Sequence, residues 1–287
     1  MSAPDRRPDP GRPEGPADFA APPFNAAADL CGDPVCAGLR ALFADNQYMV
    51  LPGLMAAFTG AHPGAGPVFY ETLPPGIVVA QLRRGGLRMG ALELRFIPDI
   101  IAASPQALSG LHDEGLSGEP RWYASNTLAL LVARGNPHHV TGLGDLARPG
   151  LRIALPNPET EGIGRLALRA LAAAGGEELR EAVAGAKQRA GETVLTAIHH
   201  RQSPAWLAAG ATDAAIVWET EARYHALLGT PIEAVPIEPA ANQTGHYAAA
   251  IVAGAPNPAS AERFLDYLTG PAGRDSYARH GFTTQHP

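Results

Sequence analysis

The segment Ile198-His199-His200-Arg201-Gln202-Ser203-Pro204 gathers two imidazoles, a guanidinium and a hydroxyl between a short apolar run and a helical pattern. Arg201 offers a planar fork of donors matched to a carboxylate or oxyanion, and His200 can donate or accept. A helix starting at Ser203, with Pro204 at its first position, would add unsatisfied backbone N–H groups. Such a segment can hold a small anion; the alternative is a solvated loop in which Arg201 pairs with a nearby glutamate. The adjacent histidines are not expected to bind metal, because sequence neighbours rarely converge on one ion and no HExxH spacing is present. Trp218-Glu219 is a second candidate pair at the end of an apolar run. The indole can wall a pocket or pack in a core, and Glu219 can accept from a ligand donor or position Arg201. Asn157, with Glu159 and Thr160 behind it, follows a third such run. Asn46 and Gln47 follow a fourth, and Glu71 and Thr72 a fifth.

These residues share a context. Leu151, Ile153 and Leu155 form a short strand, a polar loop follows, and Leu166 to Ala174 make an apolar-faced helix closed by Gly175-Gly176. Ala214 to Trp218 repeats the unit with a helical pattern that stops at Gly229. Leu39 to Phe43 and a helix from Pro52 to Phe58 form another unit. Val68 to Tyr70 and Ile77 to Arg84 do the same, with Pro75 near the first turn and Gly85-Gly86 at the end. Phe96 to Ala102 is a further apolar run before Ser104-Pro105, and Val194 to Ile198 another strand. Loops that join the carboxyl ends of strands to helix N-termini aim N–H groups and a positive dipole end at one edge of a parallel sheet. Trp122 to Arg134 is long for a strand and turns continuously apolar at Leu128, as a strand crossing between lobes would. His246 to Val252 reads as the returning strand, and Asn257-Pro258 as the start of a last amphipathic helix carrying Phe264, Leu265 and Leu268.

The expected fold class is α/β, with two Rossmann-like lobes and a hinge of two crossing strands. Residues 1–30 are assigned to a disordered tail, 31–124 and 243–287 to lobe 1, and 125–242 to lobe 2. The opening residues, rich in Pro, Gly and charge, lack the apolar stretch of a secretory signal.

A net charge of −6 with no Lys/Arg run excludes a nucleic-acid binder of the usual kind. No apolar segment approaches the roughly 20 residues that span a bilayer. Cys31 and Cys36 could pair across a Pro-containing turn, join a metal site or remain thiols. Gly162-Ile163-Gly164-Arg165-Leu166-Ala167 matches a dinucleotide fingerprint in letters only, since it starts seven residues beyond the strand end. No nucleophile elbow, P-loop or paired-Cys spacing occurs, so no catalytic residues, cofactor or metal are expected.

Four strings resemble the periplasmic substrate-binding proteins of ABC transporters, in particular the molybdate/tungstate branch of the type II fold: TLALLVARGNP (127–137), LGDLARPGLRIALPNPETEGIGRLALRAL (143–171), GATDAAIVWETEA (210–222) and PNPASAERFLDYLTGPAGRDSYARHGF (256–282). The resemblance implies one ligand held between two closing lobes, an ABC permease as partner, a monomer and a periplasmic location; without a signal in the chain, a cytoplasmic one is the alternative. It also implies small hydroxyl residues in the first two ligand loops. Here those loops are Asp45-Asn46-Gln47 and Glu71 to Gly76, and Thr72 alone keeps a hydroxyl where one is wanted. If Glu219, Glu71 and Asp99 faced the cleft, they would repel a bare oxyanion and favour a ligand with donors or an anion accompanied by a cation. The expected function is capture of a small anionic or polar solute, such as molybdate or tungstate, by Asn46, Gln47, Glu71, Thr72, Asn157, His200, Arg201, Trp218 and Glu219. The second reading is a cytoplasmic sensor or accessory protein that binds an oxyanion or cofactor for an enzyme.

Overall fold

The computed structural model describes residues 29–285 and, upstream, the two-residue strand Ala17–Asp18. In chain order the strands are β1 (Ala17–Asp18), β2 (Leu30–Cys31), β3 (Leu39–Ala44), β4 (Val68–Leu73), β5 (Leu87–Met89), β6 (Leu92–Leu94), β7 (Ile100–Ala103), β8 (Arg121–Ala133), β9 (Ile153–Leu155), β10 (Thr193–Leu195), β11 (Ala214–Trp218), β12 (Ile232–Val235) and β13 (Thr244–Ile251). The main helices are α1 (Leu51–Ala61), α2 (Pro75–Arg84), α3 (Pro105–Asp113), α4 (Gly162–Glu181), α5 (Gln202–Ala208), α6 (Glu219–Leu227), α7 (Pro258–Thr269) and α8 (Pro271–Arg279).

One continuous sheet runs β10-β9-β11-β8-β13-β7-β3-β4-β2, with β12 also on β8. Parallel pairs β3–β4, β3–β7, β9–β10 and β9–β11 build its two wings. The antiparallel pair β8–β13 joins them. Strand β8 does this by length. Its first half, through Thr127, pairs with β13, and Leu128 to Val132 pair with β11. The switch to unbroken apolar sequence at Leu128 is thus the point where the strand enters the second wing, buried on both faces.

Period-two alternation divides each wing into two cores. Leu39, Ala41, Phe43, Ile100 and Ala102 face α1, α7 and α8, where they meet Leu54, Phe58, Phe264 and Tyr277. Leu42, Ile101 and Ala103 face α2 and α3, meeting Val78, Leu82, Leu108 and Leu111. In the other wing Leu128, Leu130 and Val132 meet Ile163, Ala167 and Leu171 of α4, while Ala129 and Leu131 meet Leu207 of α5. Every wing of the sheet is therefore covered on both faces, as an α/β fold requires.

Several expectations need adjustment. The run Phe96–Ala102 becomes strand only at Ile100; Phe96 instead packs edge-on against Phe69 at 5.3 Å. The hairpin β5–β6 was not anticipated. Helix α5 starts at Gln202, so Ser203 lies inside it and is not its cap. Helix α4 starts at Gly162 and breaks where the glycine pair predicts, with Gly176 at φ 71°. Of the residues assigned to a tail, Ala17–Asp18 pairs with β5 and Asp29 and Leu30 are part of the fold; the others lie outside the described residues. Cys31 and Cys36 are free thiols. Among the described residues no helix is long and apolar enough to cross a membrane.

Candidate functional site

The carboxyl ends of β3, β4, β9 and β11 point toward one junction between the wings, as open α/β sheets direct their loops. From the first wing come Asp29, the turn Asp45–Gln47, and Thr72. From the second come Glu161 just before α4, the loop His199–Arg201 after β10, and Trp218 with Glu221 where β11 passes into α6.

His200 sits at the centre and is 1% exposed. Its Nδ1 lies 3.0 Å from Glu161 Oε2 and 3.2 Å from Asp45 Oδ2, and its Nε2 lies 3.4 Å from Glu221 Oε1. All three carboxylates are buried. Glu161 is held in place: its Oε2 accepts from the His200 backbone N–H at 2.6 Å, and its Oε1 accepts from the Thr196 hydroxyl. Among the described residues Asp45 Oδ2, His200 Nε2 and Glu221 Oε1 find no hydrogen-bond partner of good geometry. Oxygens of Asp45 and Glu161 and a ring nitrogen of His200 all fall within 4.8 Å of one another, so this trio has the spacing of a metal-ligand set.

Arg201 crosses the junction in the same way. Its Nη2 donates to Asp29 Oδ1 and, at 3.1 Å, to the Thr72 carbonyl, and its guanidinium lies 4.7 Å from the centre of the Tyr48 ring. The Thr72 hydroxyl donates to the same Asp29 oxygen at 3.0 Å.

Burial taxes every charge here, and the neighbours decide the outcome. At His200, burial opposes protonation, but Asp45 and Glu221 overcome it and push the imidazole well above its ordinary value. At Asp45, burial is again outweighed, by His200 first and then Arg201, so the carboxyl falls below its usual range. Glu221 moves up, because burial exceeds the attraction of His200. Asp29 also moves up through burial, against the pull of Arg201. His199 is pushed down to about 4 by burial and then by Arg201, and is neutral at pH 7.

Beside this cluster lies a hollow of about 240 Å³. Asp45, Glu161 and His200 form its acidic floor and Trp218 one wall. Arg165 and Arg169, exposed on successive turns of α4, also line it, together with the N-terminal residues of α3 and α4, and Arg165 Nη1 donates to the Pro158 carbonyl at 3.0 Å.

The sequence-selected residues separate into those brought together and those not. His200, Arg201, Thr72, Asn46 and Trp218 meet at the junction. Asn46 Nδ2 donates to the Tyr247 hydroxyl; Trp218 both lines the hollow and packs in the second core, its ring 6.1 Å from Tyr247. The other four point elsewhere. Gln47 turns into the first core, where its Oε1 accepts from Tyr123 at 2.7 Å and Tyr277 at 2.5 Å. Glu71 faces Gln81, which donates to it at 3.0 Å. Asn157 closes its own turn by accepting from the Glu159 N–H at 3.0 Å. Glu219 pairs with Arg223 one turn along α6 at 3.0 Å and does not position Arg201. Asp99 holds the Arg40 and Asn257 backbone N–H groups inside the first lobe. The acidity expected of Glu219, Glu71 and Asp99 is supplied instead by Asp29, Asp45, Glu161 and Glu221, none of which was selected from sequence. The one usable signal was position: Glu161 and Glu221 stand at helix starts, where carboxylates are favoured. In the Gly162–Ala167 string, a Cβ on Gly164 would come within 2.5 Å of the Pro156 carbonyl oxygen, so this glycine serves close packing of α4 on the preceding loop.

A family model described as bacterial extracellular solute-binding protein matches residues 40–283. The molybdate-binding protein ModA of Mycobacterium tuberculosis is 28% identical over 167 residues, which is 58% of this chain and 58% of that protein. The same figures hold for ModA of Mycobacterium bovis, so the chain spans 58% of the length of these relatives. Among solved structures, the periplasmic molybdate-binding protein of Azotobacter vinelandii superposes with a TM-score of 0.69 at 22% identity, covering 86% of this chain and 100% of that one. The sulfate-binding protein SubI of M. tuberculosis gives 0.66 at 21% identity, covering 87% of each. These two likenesses are of fold.

Proposed function

Because this chain belongs to the family of bacterial extracellular solute-binding proteins, we propose that it captures a small anionic or polar solute between its lobes and delivers it to an ABC-type permease without turnover. The observation that carries this reading is the junction itself: His200 and Arg201 from one wing meet Asp45, Thr72 and Asp29 from the other beside a hollow of about 240 Å³. A ligand bound there touches both wings and favours the closed arrangement by its differential affinity for it. The molybdate and sulfate binders among the similar proteins support an anion. Its negative end is placed against Arg165, Arg169 and the starts of α3 and α4, because the floor is already acidic. Asn46, Thr72, His200, Arg201 and Trp218 are retained as ligand residues or their direct supports. The lobes are taken as 31–124 with 243–287 and as 125–242, and the protein acts outside the cytoplasm as a monomer.

A thermal-shift panel of molybdate, tungstate, sulfate, small carboxylates and zwitterions tests this. A true ligand raises the melting temperature with concentration by mass action. Arg165→Gln combined with Arg169→Gln should abolish the shift for an anion. No shift with any member of the panel would count against solute capture.

A further inference from the structure

The lining of the hollow carries both signs, and that bears on what fills it. Asp45, Glu161 and Glu221 surround the imidazole of His200, and Asp45, Glu161 and His200 line the hollow together with Arg165 and Arg169. An anion seated on the arginines shares the hollow with carboxylates. A cation between them would satisfy both.

The cluster has the form of a metal centre in three independent respects. The first is spacing. Atoms bound to one ion at about 2.1 Å lie roughly 3.0–3.4 Å apart at octahedral to tetrahedral angles. His200 Nδ1 lies 3.0 Å from Glu161 Oε2 and 3.2 Å from Asp45 Oδ2. The second is orientation. A metal-bound histidine ordinarily turns its other ring nitrogen to a carboxylate, which fixes its tautomer. Nε2 of His200 faces Glu221 Oε1 at 3.4 Å, and Glu161 is itself held by the Thr196 hydroxyl and the His200 N–H. The third is an undersatisfied atom: Asp45 Oδ2 is buried and, among the described residues, the 3.2 Å approach of His200 Nδ1 is the one polar contact it has in the cluster, with no hydrogen bond of good geometry.

We propose, building on the capture of an anion in this cleft, that the solute is held together with a divalent transition-metal ion bound by Nδ1 of His200, whose proton the ion displaces to solvent, and by the carboxylates of Asp45 and Glu161. One imidazole and two carboxylates form a mixed nitrogen and oxygen set suited to the Mn(II)-to-Zn(II) series more than to Mg(II) or Ca(II). Asp45 belongs to one wing and Glu161 and His200 to the other, so the ion ties the two together. Three protein ligands leave coordination positions open, and the trio lines the hollow. The anion completes the shell there, with its outer charge on Arg165 and Arg169. The ligand class is a small chelating anion, such as a dicarboxylate, carried as its metal complex.

Titration of the purified, metal-stripped protein with Co(II) tests this, read by visible absorption and by calorimetry, alone and with oxalate. The expected result is one Co(II) per chain, and oxalate binding at least tenfold tighter with Co(II) than without it. Asp45→Asn and Glu161→Gln, near-isosteric changes that lower the buried negative charge, should each weaken Co(II) at least tenfold in protein whose circular dichroism matches the parent's. His200→Asn should abolish the absorption band. Absence of saturable Co(II) binding, or Co(II) bound equally by the Asp45 and Glu161 variants, overturns the proposal. Co(II) binding with no effect on oxalate overturns the complex as the solute. Oxyanions that stabilise metal-stripped protein while Co(II) fails to bind would leave anion capture standing and remove the metal alone.

Discussion

Asp45 and Glu71 stand at the carboxyl ends of neighbouring parallel strands, β3 and β4, and both are fully buried, yet their protons behave oppositely. Asp45 falls below the usual carboxylate range because His200 and Arg201 reach it from the other wing, against the cost of burial. Glu71 meets no cation among the described residues. Burial pushes it up to about 8, with only the Gln81 amide in opposition. Burial is common to the two; the difference is a counter-charge supplied by the other wing. The carboxyl of Glu71 belongs to the architecture of one wing, whereas the carboxylate of Asp45 is paired across the junction.

Removing that partner should have the largest effect. His200→Leu leaves Asp45, Glu161 and Glu221 facing one another with Arg201 as the remaining nearby cation, and breaking a buried pair costs about 3–5 kcal/mol. The wings can escape by separating, so solution scattering should show a larger radius of gyration while the urea midpoint of each lobe moves little. An unchanged radius would mean the junction is not held by charge. The converse change concerns Glu71. Its folded pKa of about 8 lies above the 4.5 of the free side chain, so the native state holds a proton the unfolded chain has lost. Its contribution is complete below pH 4.5 and disappears as pH rises through 8. Glu71→Gln should therefore reduce the fall in unfolding free energy between pH 5 and pH 8.5, by roughly 2–4 kcal/mol. Parallel pH profiles for the variant and the parent would show that Glu71 is ionised already.

The same contrast marks what sequence could reveal. The strand Ala214–Trp218 was legible as a continuous apolar run, Leu39 to Phe43 as an apolar run interrupted by Arg40, and α2 as a Pro75 start with a Gly85 stop, because the cause of each is local. The crossing role of β8 was legible in its change of pattern at Leu128. The partners at the junction were not, since Asp29, Asp45, Glu161 and Glu221 acquire their role only through contact with His200 and Arg201 from distant segments. Glu219 and Glu221 show the difficulty at its smallest scale. Two residues on a helix differ by about 200° of rotation, so one faces Arg223 at the surface and the other His200 inside. Gln47 turns to the first core for a reason its sequence does not display: a single three-residue turn has too little periodicity to tell which side chain faces the cleft and which the core.

Gln47 also offers the sharpest control, because it lies two residues from Asp45 on the same turn but serves one lobe only. Gln47→Leu removes the acceptor shared by the buried Tyr123 and Tyr277 hydroxyls. A buried donor left without a partner costs about 1–3 kcal/mol. Unfolding in urea should therefore shift by about 2 kcal/mol with no change in the scattering radius, the reverse of the pattern expected for His200→Leu. Arg201→Lys should have the smallest effect. It keeps the positive charge for Asp29 but gives up the planar group over Tyr48 and the reach to the Thr72 carbonyl. The expected loss is about 1 kcal/mol, comparable to one neutral hydrogen bond, and it should appear as a small increase in radius. If Arg201→Lys instead lowered the urea midpoint as far as Gln47→Leu does, Arg201 would be part of one lobe's foundation, and the division between fold and closure would have to be drawn elsewhere.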